Sequence, residues 1–112
     1  MYKLTKLAAL SAVLVGLGVS GNAAALDGAE LYKTKTCIAC HGPGGDKPIM
    51  PTYPKLAGQN KQYLVQQTEA IMSGDRESPQ TAAMKGALVT AEGDWRVTKE
   101  EIAAISDWLS KQ

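Results

Sequence analysis

Cys37-Ile38-Ala39-Cys40-His41 is the stretch on which the reading of this chain turns. Two cysteines three apart with a histidine directly after them form C-x-x-C-H, the sequence to which haem c is attached. The spacing has a physical reason. At the end of a helix, two thiols so placed reach the two vinyl groups on one edge of a porphyrin. The imidazole that follows then lies beneath the ring, where its Nε2 can bind iron axially. His41 is the only histidine among 112 residues, and it stands at the one place that arrangement requires. Zinc would need two further Cys or His ligands, and the sequence has none left. A thioredoxin-like pair would want a βαβ setting, yet no segment alternates at period two over more than a few residues. A surface disulfide stays open as a reading, but it explains neither the adjacent histidine nor the loops that follow.

Upstream, Met1 to Lys6 carries Lys3 and Lys6 and no acid, and Leu7 to Val19 is apolar but for Ser11. Ala23-Ala24-Ala25 then fits a signal-peptidase site. Charged start, apolar middle and A-x-A end describe a secretory signal over residues 1–25. The apolar run is too short for a hydrocarbon core that needs about 20 residues, so cleavage is expected over stable membrane insertion. Export to the periplasm follows. Removing 25 of the 112 residues leaves 87, and with Lys3 and Lys6 gone, 10 basic residues face 11 acidic ones, a net of −1. There is no basic excess to hold a phosphate backbone, so nucleic acid is excluded as a partner. A chain this short, with no Phe and only Tyr32, Tyr53, Tyr63, Trp95 and Trp108 as aromatics after cleavage, needs something else in its middle. A covalently held porphyrin would supply it.

Downstream, turn and cap signals divide residues 26–112 into one all-α domain of three main helices and two long loops. Asp27 with Glu30 reads as a capping box for a helix that runs into Cys37. Residues 42–58, with four Gly and four Pro, read as loop, with at most a turn of helix near Lys55 to Ala57. Asn60 caps a second helix, Lys61 to Ser73, closed by Gly74. Asp75 to Trp95 shows no sustained period and reads as a second loop, holding at most a turn of helix at Thr81 to Lys85. Thr98 with Glu101 is a further capping box, opening a last helix to about Ser110, with Ile102, Ile105 and Leu109 on one face. Loops of that length in so small a domain normally carry function, and wrapping a large flat cofactor would account for both.

The sequence resembles the class I c-type cytochromes, most closely the small bacterial monohaem cytochromes of the c553/c4-related group. The residues that carry the likeness are Gly28 and Tyr32, Cys37-x-x-Cys40-His41-Gly42, Pro51-x-Tyr53-Pro54-Lys55-Leu56-Ala57-Gly58-Gln59, a late methionine and Trp108. It spans residues 27–111. The resemblance implies one haem c bound through Cys37 and Cys40, with His41 as proximal ligand. For the sixth ligand the chain offers Met50, Met72 and Met84. Met72 has the spacing of a core residue, Met50 belongs to the loop expected on the histidine side, and Met84 stands where the family places its axial methionine. The resemblance further implies that the His41 imidazole donates to a proline carbonyl, for which Pro51 matches ahead of Pro43 and Pro48. It also has Gly28 letting the first and last helices cross closely, with Tyr32 and Trp108 at the crossing. Tyr53 and Trp95 are candidates to hydrogen-bond the haem propionates, with half-buried packing as the plainer alternative for both. Ala87 to Val97 is longer than the usual link to the last helix.

An iron with both axial positions filled has no place for substrate, so the expected function is one-electron exchange with redox-protein donors and acceptors rather than enzymatic activity. A haem subunit of an exported dehydrogenase complex, and a ligand-binding sensor if Met84 does not bind, remain as alternatives. Leu26 to Val65 carries five Lys against three acids, and Gln66 to Gln112 five basic residues against eight acids. The expectation is a mildly basic face near the haem edge, docking acidic partners.

Overall fold

The structure, a computed structural model, describes residues 25–112. The leader expected over residues 1–25 lies, but for Ala25, outside the described residues. The chain forms α1 (Gly28–Thr34), α2 (Cys37–His41), a 3₁₀ turn (Pro43–Gly45), α3 (Lys61–Ser73), α4 (Pro79–Leu88) and α5 (Lys99–Ser110). Among the described residues the only β pairing is one isolated bridge, Val89 to Trp95.

The helix starts follow from their caps. The Asp27 carboxylate accepts from the Glu30 N–H at 3.1 Å, and Asn60 Oδ1 from the Tyr63 N–H at 3.0 Å. Thr98 and Glu101 form the reciprocal pair expected of them, Thr98 Oγ1 accepting from the Glu101 N–H and Glu101 Oε1 from the Thr98 N–H. Such caps satisfy amides that a helix start leaves unpaired.

Two features depart from the sequence reading. The first helix does not run unbroken into the cysteines: Thr36 takes a left-handed conformation, φ 70°, and separates α1 from α2. The segment read as mostly loop holds a ten-residue helix, α4. Ser78 and Thr81 cap it reciprocally and Pro79 occupies its first turn, where the missing N–H costs nothing. Thr81, Met84 and Leu88 lie on its inner side, with Thr81 and Leu88 buried and Met84 half-buried.

α5 packs against both α1 and α3 and closes the fold. Gly28 is required where α1 meets α5: a Cβ there would run into the Ala104 carbonyl and come within 2.8 Å of Trp108 Cβ. One turn on, the Tyr32 and Trp108 rings meet with centroids 5.1 Å apart, tilted by 46°. Tyr32 is buried, and its hydroxyl donates to the Gly42 carbonyl, tying α1 to the end of α2. Leu64, Met72, Leu88, Val97, Ile102, Ile105 and Leu109 complete the apolar core.

Candidate haem site

The attachment turn, α2, is five residues long and brings Cys37, Cys40 and His41 to one cavity. Both thiols are unpaired and half-buried. Burial pushes the Cys37 thiol up to about 11. His41 is buried, and its Nδ1–H donates to the Pro54 carbonyl oxygen at 3.0 Å. Because that partner is a carbonyl, the proton sits on Nδ1 and the lone pair on Nε2. Burial also pushes the imidazole pKa below its ordinary value, with the Pro54 bond opposing, so the ring stays in its neutral, metal-ligating form.

The acceptor is therefore Pro54, not the Pro51 expected from the resemblance. Tyr53 N–H donates to the Met50 carbonyl, closing a turn around an exposed Pro51. Leu56 and Ala57 N–H groups then both donate to the Gly45 carbonyl, drawing the chain back under the imidazole. The carbonyl that arrives beside the ring lies three residues later than spacing implied.

Met84, on α4, lines the cavity that holds Cys37, Cys40 and His41. Met72 is packed in the core and Met50 is exposed, and neither lines it. Tyr53 also lines the cavity, its ring 6.2 Å from the His41 ring. Trp95 does not. The bridge to Val89 and the hydrogen bonds Thr90 N–H to Asp94 and Arg96 N–H to Leu88 set it against the outside of the core, and Val97 reaches the cavity instead. Trp95 thus packs against the core, the plainer of the two alternatives named for it.

The remaining walls are apolar: Leu64 and Ile71 of α3, Leu88 of α4, and Ile102, Ile105 and Leu109 of α5. Polar groups enter as well, among them Gln67, Thr68 and Arg76, which the sequence reading did not single out. For Gln67 and Thr68 the signal was periodic, since Leu64, Gln67, Thr68 and Ile71 share one face of α3.

The residues fit a haem. His41 Nε2 makes no hydrogen bond among the described residues although the ring is buried, and a buried, unpartnered lone pair is costly unless a metal takes it. The two thiols share its cavity, and the apolar walls suit a flat macrocycle with one polar edge.

The family model for cytochrome c matches residues 25–112. Cytochrome c4 of Azotobacter vinelandii is 33% identical over 107 residues, covering 93% of this chain and 50% of that protein. Cytochrome c-553 of Nitratidesulfovibrio vulgaris is 32% identical over 97 residues, 87% of this chain and 86% of that one. Cytochrome c-554(548) of Halomonas halodenitrificans is 36% identical over 80 residues, 71% and 88% respectively. The chain spans about half the length of the cytochrome c4 it matches, but most of the length of the other two. With C-x-x-C-H at residues 37–41 inside the matched span, the chain belongs to the cytochrome c family as a small class I c-type cytochrome, with one haem c bound covalently through Cys37 and Cys40.

Proposed function

We propose that the protein is a periplasmic one-electron carrier whose haem iron is held between His41 and Met84. The observation that carries the reading is that a neutral imidazole from α2 and a thioether from α4 reach the same apolar cavity. Bound haem c supplies exchange between Fe(III) and Fe(II). The chain's own part is to hold and shield it. Pro54 fixes the orientation and basicity of His41, Met84 closes the opposite side, and Leu64, Ile71, Ile102 and Ile105 exclude water. The A-x-A site at Ala23 to Ala25 supports export.

Electron exchange is assigned to the edge beside Cys40. Ile49 N–H donates to the Cys40 carbonyl, and Ile49 and Met50 are 66% and 46% exposed there. Of the five lysines in the basic half, Lys35, Lys55 and Lys61 pair with Glu101, Asp46 and Asp107, which among the described residues leaves Lys33 and Lys47 to steer a partner. A relative named as a thiosulfate dehydrogenase electron acceptor, from Stutzerimonas stutzeri, is 34% identical over 86 residues. It supports a second reading in which the donor is a larger exported dehydrogenase.

Spectra of the matured protein test the proposal. A reversible one-electron titration, a weak long-wavelength sulfur-to-iron band in the oxidised form, and no rapid uptake of carbon monoxide by the reduced form are expected. Rapid carbon monoxide binding at neutral pH would replace the carrier with a ligand-binding haem.

A further inference from the structure

We propose that the Ser106 hydroxyl binds a water molecule inside the haem crevice, opposite Thr68, and that this water lowers the reduction potential. The inference rests on the bound haem c and not on electron carriage. Among the described residues the buried polar side chains are His41, Thr81 and Ser106. Two of them have their partners. His41 donates to Pro54 and keeps its other nitrogen for iron. The Thr81 hydroxyl donates to the Ser78 carbonyl and accepts from the Ser78 N–H. Ser106 is 2% exposed, and its hydroxyl has no hydrogen-bond partner among the described residues. Ser73 and Ser110 differ, since their hydroxyls turn back onto the Ala70 and Asp107 carbonyls of their own helices. A hydroxyl left dry in apolar surroundings is unfavourable, and buried ones find a partner.

Ser106 lines the cavity from α5 together with Ile102, Ile105 and Leu109. α3 packs against α5 and lines the same cavity with Leu64, Thr68 and Ile71. Each helix thus sets one hydroxyl into an apolar stripe, and the Thr68 hydroxyl is likewise without a partner among the described residues. The macrocycle offers them little, because its nitrogens hold iron and its only oxygens are carboxylates. Those carboxylates lie at the edge away from the thioethers, whereas this part of α5 closes on the attachment end. Leu109, one turn beyond Ser106, reaches Gly45, where an added Cβ would lie 2.6 Å from its Cδ2. A water molecule satisfies both hydroxyls, donating to one and accepting from the other, and a buried water needs about two to four such partners. The dipoles also act on the iron. Ferric haem carries one positive charge more than ferrous haem, so polar groups inside the crevice favour Fe(III) and lower the potential.

The test uses the haem-loaded protein as wild type, S106A, S106T, S106V and T68V. Thr and Val share a shape, so S106T and S106V differ in the hydroxyl alone. Nuclear Overhauser contacts between water and the protons of residues 68 and 106 locate the bound molecule, and voltammetry reads the potential. A long-lived water contact is expected in the wild type and S106T, and its loss in S106A, S106V and T68V. The potential is expected to rise in the three variants that lose it. At the wild-type midpoint the Fe(II) to Fe(III) ratio should then increase by about threefold, the modest end of one hydrogen bond. The proposal is overturned if the wild type shows no water contact at Ser106, if T68V keeps that contact, or if S106A leaves the potential where it was. The water contacts report whether or not any partner accepts an electron, so their outcome is separate from that of the carrier reading.

Discussion

Nδ1 of His41 lies 3.0 Å from the carbonyl oxygen of Pro54, thirteen residues downstream. This bond sets the tautomer of the imidazole, and under the proposed ligation by His41 it would make the ring a stronger donor to iron, which favours Fe(III). Substituting Pro54 keeps the oxygen but removes the stiffness that presents it. P54A is expected to cost about 1 kcal/mol through the freer unfolded chain and loop, and to raise the reduction potential as the hydrogen bond loosens. Thermal unfolding and voltammetry measure the two effects, and a potential unchanged from wild type would show that Pro54 does not tune the ligand.

Met84 and Met50 are distinguished by position, since one lines the cavity and the other is exposed outside it. M84A is expected to lose the sulfur-to-iron band and to bind carbon monoxide when reduced, while mass spectrometry still finds the covalent haem. M50A should keep the band. The reverse pattern would move the sixth ligand to Met50.

Gly28 has no room for a methyl group, because the Ala104 carbonyl and Trp108 Cβ occupy that space. G28A forces α1 away from α5 at a cost of about 1–3 kcal/mol. In a domain of this size that lowers Tm by roughly 5 °C or more. Circular dichroism melts check it, and an unaltered Tm would mean the crossing is looser than described.

Burial holds the Tyr32 hydroxyl up to about 12, with Cys37 as a smaller contributor. Cys37 is a thioether once haem is attached, so burial alone carries the effect in the mature protein. An unfolded tyrosine ionises near 10. A raised folded value means the neutral hydroxyl is favoured in the fold. Its contribution is therefore intact below pH 10 and is lost as pH rises towards 12. Denaturant unfolding should show stability falling across that window. Y32F should remove this part of the fall, while losing about 1–2 kcal/mol at neutral pH because the Gly42 carbonyl loses its donor. An identical alkaline decline in Y32F would assign it to other groups.

Local rules carried much of the fold. Asp27, Asn60 and Thr98 opened helices where side-chain caps predict them, while the meeting of Gly28, Tyr32 and Trp108 was expected from the family resemblance and not from any local rule. What stayed hidden depended on the path of the chain through space. α4 presents Thr81, Met84 and Leu88 inward at helical spacing, but Lys85, Gly86 and the small alanines around them dilute that period to a level a loop would share. Pro51 and Pro54 differ only in which carbonyl the turn at Met50 to Tyr53 delivers to the ring, and spacing alone does not say. Trp95 has the bulk of a site residue, yet one bridge to Val89 decides which side of the core it faces. Arg76 follows a helix end in a polar run, and only the fold brings it to the rim of the cavity.

The crossing of α1 and α5 ties events in time as well as in space. α1 leads into the attachment turn, yet the surface that grips it is made of residues from Lys99 onward. A ribosome must add that whole stretch before the cysteines acquire their final setting. Truncation before Lys99 would therefore leave the attachment turn joined to a first helix with nothing to close over it.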